Sequence, residues 1–255
     1  VKRCGGVSPI VFNRGPLYKV RDTLLGCFQD EFHGRKVKMD FADARENMIE
    51  CQLRTNKITD SRILGAMSTL PRERFVPRER EEMAYADMDI PCGEGRCLMA
   101  AMASGRLIQE AGIKSNDEVL CIGASTGYSV AVMANLASSV IALESNKACV
   151  EKAGTLFSEL NLDNAVVVEG PLTRGWETES PYNVIFIDGM VSEIPNAVFE
   201  QLADGGRLVA IVDSGNGIGC ATLYVKLSGN VSSRGIFDIN VGKLSDFDKK
   251  QEFVF

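Results

Sequence analysis

The 255-residue chain holds one histidine, His33, and one tryptophan, Trp176. His33 lies far from the glycine-rich stretch described below, so no imidazole base is at hand for a Ser-His-Asp or Cys-His pair. A multi-histidine metal centre is excluded as well, and no metal site is expected. None of the eight cysteines forms a C-x-x-C pair. Cys92 and Cys97 are the closest, with no second pair at zinc-finger spacing. Cys121 and Cys149 lie in or beside apolar stretches and read as small buried hydrophobes. Reduced thiols in a cytoplasmic protein are the simplest account. No apolar run approaches the roughly 20 residues of a membrane span, so a soluble chain with no membrane partner is expected. A basic surplus is also missing. The formal charge is −6 and the pI near 5.1, which argues against a nucleic-acid partner, because phosphate binding needs a basic face.

What is present is an ordinary globular mixture, 45% hydrophobic and 24% charged. Residues 1–38 differ, with eight Lys/Arg against three Asp/Glu. Gly5-Gly6, Pro9 and Gly15-Pro16 interrupt them, and no helical or strand period runs through them. They read as a non-native or disordered extension, with Met39 as the natural start of a single domain over 39–255.

From Met39 to about residue 115 the pattern reads as helical. Asp43–Arg54 is one helix, a second is capped by Thr59-Asp60 and stopped by Pro71, and a third runs over Ala101–Ala111 to Gly112. From residue 117 strands and helices alternate. Strands are predicted at Glu118–Ile122, Val140–Leu143, Ala165–Val168, Val184–Ile187 and Arg207–Val212. Helices are predicted at Tyr128–Leu136, Asn146–Leu160 and Ile194–Leu202. Two β-like runs follow, Leu223–Leu227 and Gly235–Val241. The alternation implies an α/β fold, a mostly parallel sheet with helices on both faces and an N-terminal helical subregion.

Residues 119–129 read VLCIGASTGYS. A strand runs into a turn holding Gly123 and Gly127, and a helix begins near Tyr128. Such a turn lets backbone approach a ligand closely, and the helix start offers free N–H groups. Glu144 ends the next predicted strand, where a carboxylate can accept hydrogen bonds from both hydroxyls of a ribose. Dinucleotide sites prefer G-x-G-x-x-G. Here Gly123-Ala124-Ser125-Thr126-Gly127 fits the G-x-G-x-G spacing of methyltransferases, with Ser125 in the middle.

Residues 48–77, MIECQLRTNKITDSRILGAMSTLPRERFVP, resemble the N-terminal signature of the protein-L-isoaspartate O-methyltransferases. Tyr85-Ala86-Asp87, Ile90-Pro91, the Gly123 turn, Glu144, the Gly170–Trp176 segment and DGGRLV at 204–209 follow in that family's order. The resemblance covers about 39–212. It implies a Rossmann-like methyltransferase fold, S-adenosyl-L-methionine as cofactor, and a damaged protein or peptide carrying an isoaspartyl carboxylate as partner. Gly123, Ala124, Ser125, Gly127, Tyr128, Glu144, Ser145, Gly170, Pro171, Leu172 and Asp188 become cofactor-binding candidates. Gly95, Arg96, Cys97, Leu98 and Met99 form the substrate loop. No catalytic residue is assigned, because methyl displacement by a carboxylate oxygen needs orientation and desolvation rather than an enzyme nucleophile.

The departures matter too. The family's loop reads G-Q-T-I-S, so Arg96, Cys97 and Met99 replace glutamine, threonine and the active-site serine. Cys121 stands where an acid usually precedes the first glycine. Gly170-Pro171-Leu172 replaces G-D-G, and Pro171 lacks an N–H. These changes lead us to expect weak methyl transfer to isoaspartyl peptides. Two other readings of the same residues remain: a degenerate domain acting through cofactor or protein binding, and an NAD-dependent oxidoreductase. Arg96 reads either as a bidentate partner for a substrate carboxylate or as an exposed charge. Asp188, in IFIDGM, reads as a group facing methyl transfer or as a strand-end cap. Trp176 reads as packing, near the cofactor loop or simply in the core. The run from Arg72 through Glu82 reads as a solvated mixed-charge surface.

Overall fold

A computed structural model describes residues 39–248, apart from 214 and 216. The expectation for residues 1–38 lies outside them. The described residues from Asp40 onward belong to one compact unit.

The frame is a seven-stranded sheet in the order β5-β4-β3-β6-β7-β8-β9. Its members are β3 (Glu118–Ile122), β4 (Ser139–Glu144), β5 (Ala165–Glu169), β6 (Tyr182–Val191), β7 (Leu202–Asp213), β8 (Gly219–Leu227) and β9 (Asn230–Asp238). Pairs from β5 to β7 are parallel, and β7-β8 and β8-β9 are antiparallel. Side chains alternate between two cores, as a period of two dictates. Val119, Cys121, Val184, Phe186, Val209 and Ile211 face one. Leu120, Ile122, Ile185, Ile187, Leu208 and Ala210 face the other. Apolar residues at every position thus mark strands covered on both faces.

Helix α4 (Tyr128–Ala134) joins β3 to β4, and α5 (Lys147–Glu159) joins β4 to β5. The chain then returns to β6 on the other side of β3. That reversal leaves a crevice beyond the carboxyl ends of β3 and β6, where open α/β sheets bind ligands.

The N-terminal subregion holds α1 (Phe41–Asn47), which continues as a wider turn over Met48–Leu53, then α2 (Ser61–Thr69) and α3 (Ala101–Ala111). Asp60 caps α2 through Arg62 N, and Gly112 closes α3 at φ 56°. Two expectations need correction. The stretch before residue 115 is not all helical: β1 (Ile90–Gly93) and β2 (Arg96–Leu98) form an antiparallel hairpin. The predicted helix Ile194–Leu202 shrinks to α6 (Asn196–Glu200). The buried Gln201 amide turns back to the carbonyls of Arg174 and Ala197, and Leu202 pairs with Tyr182 in the sheet.

Candidate functional site

The turn after β3 is built on backbone that only glycine tolerates easily. Gly123 has φ 79° and Gly127 φ 92°. A Cβ on Gly127 would lie 2.5 Å from the Phe157 ring, and one on Gly123 2.7 Å from Leu244. Ser125 also takes a positive φ of 50°. Its N–H then donates to Glu144 Oε2 at 2.8 Å. The predicted turn and the predicted acid therefore meet.

Glu144 is fully buried. Its Oε1 accepts from Ser145 N at 2.7 Å and Asn146 N at 2.9 Å. Its cation is Arg96, the first residue of β2, whose Nε lies 3.0 and 3.1 Å from the two carboxylate oxygens. Arg96 Nη2 also donates to Ser145 Oγ at 2.8 Å and to Asp246 Oδ2 at 2.9 Å. Ser145 Oγ donates to Asp246 Oδ1 at 2.8 Å. Arg96 is not the exposed charge that one expectation made it. It is only 4% exposed, and in this structure its partners are two carboxylates of the chain itself.

The remaining candidates sit around this centre. Gly170 N donates to Glu144 O, and a Cβ there would lie 3.1 Å from Leu143 and 3.5 Å from Trp176. Leu172 is buried and Pro171 exposed. Ala124 is buried in the turn. Asp188 is buried in β6, and burial pushes its carboxyl up to about 7. Leu98 and Met99 leave the substrate loop for the core, at 4% and 2% exposure. Gly95 stays at the exposed tip, and half-buried Cys97 packs 3.0 Å from where a Gly242 Cβ would be. The serine position of the family is thus a core thioether here, not a free loop side chain.

Three participants carried no sequence signal. Asp89 accepts from Ala100 N at 2.7 Å and Gly242 N at 2.6 Å, tying the start of α3 to the C-terminal segment. Asp246 completes the Arg96 cluster from 150 residues away. Arg72 overturns the solvated-surface expectation. It is fully buried, with Nε on Ala84 O at 2.7 Å, Nη2 on Met99 O at 2.5 Å and its carbon 4.7 Å from the Tyr128 ring centre. The reason is local. Arg72–Phe75 is a tight four-residue segment wound at three residues per turn, in which positions i and i+3 share a face, and Phe75 faces inward.

Around the turn, the hydroxyls of Ser125, Tyr128 and Ser129 are buried, with Cys92, Arg72 and Asp188 as their polar neighbours. A glycine turn after one parallel strand and a buried acid after the next place the chain among the Rossmann-like folds that bind a ribose-containing cofactor, the methyltransferases among them.

The comparisons with known proteins agree. The family model for Protein-L-isoaspartate(D-aspartate) O-methyltransferase matches residues 43–238. A protein-L-isoaspartate O-methyltransferase of Methanoculleus marisnigri is 37% identical over 168 residues, 66% of this chain and 76% of that protein. One from Koribacter versatilis is 36% identical over 174 residues, 68% and 78% of the two chains. A Plasmodium falciparum protein assigned to the same enzymes, solved with S-adenosyl-L-homocysteine, superposes with a TM-score of 0.66. It covers 82% of this chain and all of that one; at 20% identity it speaks to the fold. The chain belongs to the protein-L-isoaspartate(D-aspartate) O-methyltransferase family and is an S-adenosylmethionine-dependent methyltransferase. The oxidoreductase and degenerate-domain readings gain no support from these relatives. Among the described residues, no helix is long and apolar enough to cross a membrane.

Proposed function

We propose that this chain esterifies the carboxylate of an isoaspartyl residue in a damaged protein or peptide. The observation that carries the reading is the buried Glu144 carboxylate bonded to the N–H of the Gly123–Gly127 turn. In this reading Glu144 takes the ribose hydroxyls. The turn residues Gly123, Ala124, Ser125 and Gly127 hold the amino-acid end, with Tyr128 and Asp188 beneath it. Ser145 and the Gly170-Pro171-Leu172 loop border the rest, and a Cβ on Gly170 would lie 3.5 Å from the Trp176 ring.

When bound, S-adenosylmethionine supplies an electrophilic methyl group on a sulfonium. The chain's share is to bind, align and exclude water, worth several powers of ten when reacting atoms are held in line. No side chain need act as a nucleophile. The tip of the β1–β2 hairpin, with Gly95 and Cys97, borders the acceptor side. Cys97 and Met99 lack the hydroxyls of the family's loop, so acceptor positioning rests on backbone and turnover is slow. A cytoplasmic setting, with Cys121 and Cys149 as buried thiols, and a domain spanning 39–255 complete the proposal.

The test is transfer of labelled methyl to two peptides differing only in an aspartyl or isoaspartyl linkage. We expect a base-labile ester, formed slowly and only on the isoaspartyl peptide. Equal labelling of both peptides, or a base-stable product, would refute the acceptor assignment.

A further inference from the structure

Glu144 has no acceptor capacity to spare. A carboxylate offers about four lone-pair sites. Its oxygens already take Ser125 N, Ser145 N, Asn146 N and the Arg96 guanidinium, which approaches both of them. The three backbone donors are fixed by the turn and the strand end. Only Arg96 can leave, because it arrives on the hairpin. At the hairpin tip Gly93, Glu94 and Gly95 all take positive φ, 97°, 51° and 72°. No atom lies within 4 Å of a Cβ built on either glycine. The tip is unpacked.

There is also somewhere for the cation to go. A cleft of about 290 Å³ opens at the ion pair, lined by Glu94, Arg96, Ser145, Asn146, Ser245 and Asp246. Glu94 and Asp246 offer carboxylates there, nearer solvent than Glu144. The guanidinium can change partners without ever being left uncompensated, which a buried charge does not tolerate.

We propose that Arg96 sets how tightly this enzyme holds its cofactor: it competes with the ribose hydroxyls for Glu144, and cofactor binding releases it into the adjoining cleft. Arg96 is then an affinity-determining residue rather than a catalytic one. The fraction of chains with Glu144 free scales the apparent affinity directly. The hairpin that borders the acceptor also carries Arg96, so cofactor occupancy and acceptor access are linked through one side chain. The inference rests on Glu144 being the ribose acceptor, and the experiment separates the two.

The measurement is calorimetric titration of the full chain with S-adenosylhomocysteine, which needs no turnover. Arg96→Gln, restoring the family's residue, is expected to bind at least about tenfold more tightly than the native chain. Asp246→Asn removes a carboxylate that receives the released guanidinium and is expected to weaken binding severalfold. Adding Glu144→Gln to Arg96→Gln should weaken binding at least about tenfold relative to Arg96→Gln alone. Native-like affinity in both single variants, with a large Glu144 effect, overturns the competition and leaves the ribose assignment standing. No Glu144 effect in the Arg96→Gln background overturns the ribose assignment itself. If Arg96→Gln does not fold, the Asp246→Asn titration decides: weaker binding supports competition, and unchanged binding rejects it.

Discussion

Replacing Arg72 by alanine is expected to lower the unfolding free energy by about 3–5 kcal/mol. The guanidinium has no exposed surface and supplies the hydrogen bonds to Ala84 O and Met99 O. Truncation orphans both carbonyls, at about 1–3 kcal/mol each. It also opens a cavity against Tyr128 and Phe75, whose rings meet edge to face at 5.3 Å. Relief from burying a cation offsets part of this loss, since burial lowers the Arg72 pKa. For a domain of this size the melting temperature should fall by roughly 10 °C. Arg72→Met keeps most of the volume and should lose less. An alanine variant melting with the native chain would mean that this turn is held by Phe75 alone.

Asp188 should give the chain a pH-dependent weakness that asparagine removes. Burial raises its carboxyl to about 7, with the neighbouring Asp89 adding to the shift and Ser129 and Arg72 opposing it. The sign follows from proton counts. Below about pH 4 the folded and unfolded chains both hold the proton, and Asp188 costs nothing. Between about pH 4 and pH 7 the unfolded chain releases it while the folded chain retains it. Stability therefore falls by about 1.4 kcal/mol per pH unit, reaching a deficit of up to about 4 kcal/mol above pH 7. Urea unfolding of Asp188→Asn and native chains at pH 4.5, 5.5, 6.5 and 8 reads this directly. The variant's advantage should grow with pH and level off above 7. Parallel stability profiles would show that the carboxyl ionises in the folded state as readily as in the unfolded chain.

The strands β3, β6 and β7 were legible because burial on both faces turns them into short apolar runs, and the edge strand β5 because its valines favour a pleated chain even where Val166 stays exposed. The Gly123–Gly127 turn was legible because positive φ is written as glycine. Glu144 was legible because one strand and one helix fix its distance from that turn. What lay hidden was long-range. Arg96 reaches Glu144 across 48 residues and Asp246 across 150, and no local period records such meetings. The β1–β2 hairpin escaped because Pro91, Gly93 and Gly95 break the alternation that announces a strand. Arg72 misled because a charge run normally reads as solvated. Its burial depends on a turn whose period is three rather than 3.6. Met99 misled in the opposite sense: a family position suggested a loop side chain, and its thioether belongs to the core.

Amide hydrogen exchange of the full chain, with and without saturating S-adenosylhomocysteine, tests most directly where the cofactor lies. Slower exchange is expected at 123–128, 144–146 and 170–172, the three segments that converge at the carboxyl ends of β3, β4 and β5. The lower edge of the sheet, around Glu118 and Ser139 at the opposite ends of β3 and β4, should not change. Protection confined to that lower edge, or absent from the 123–128 turn while the ligand is bound, would contradict the site.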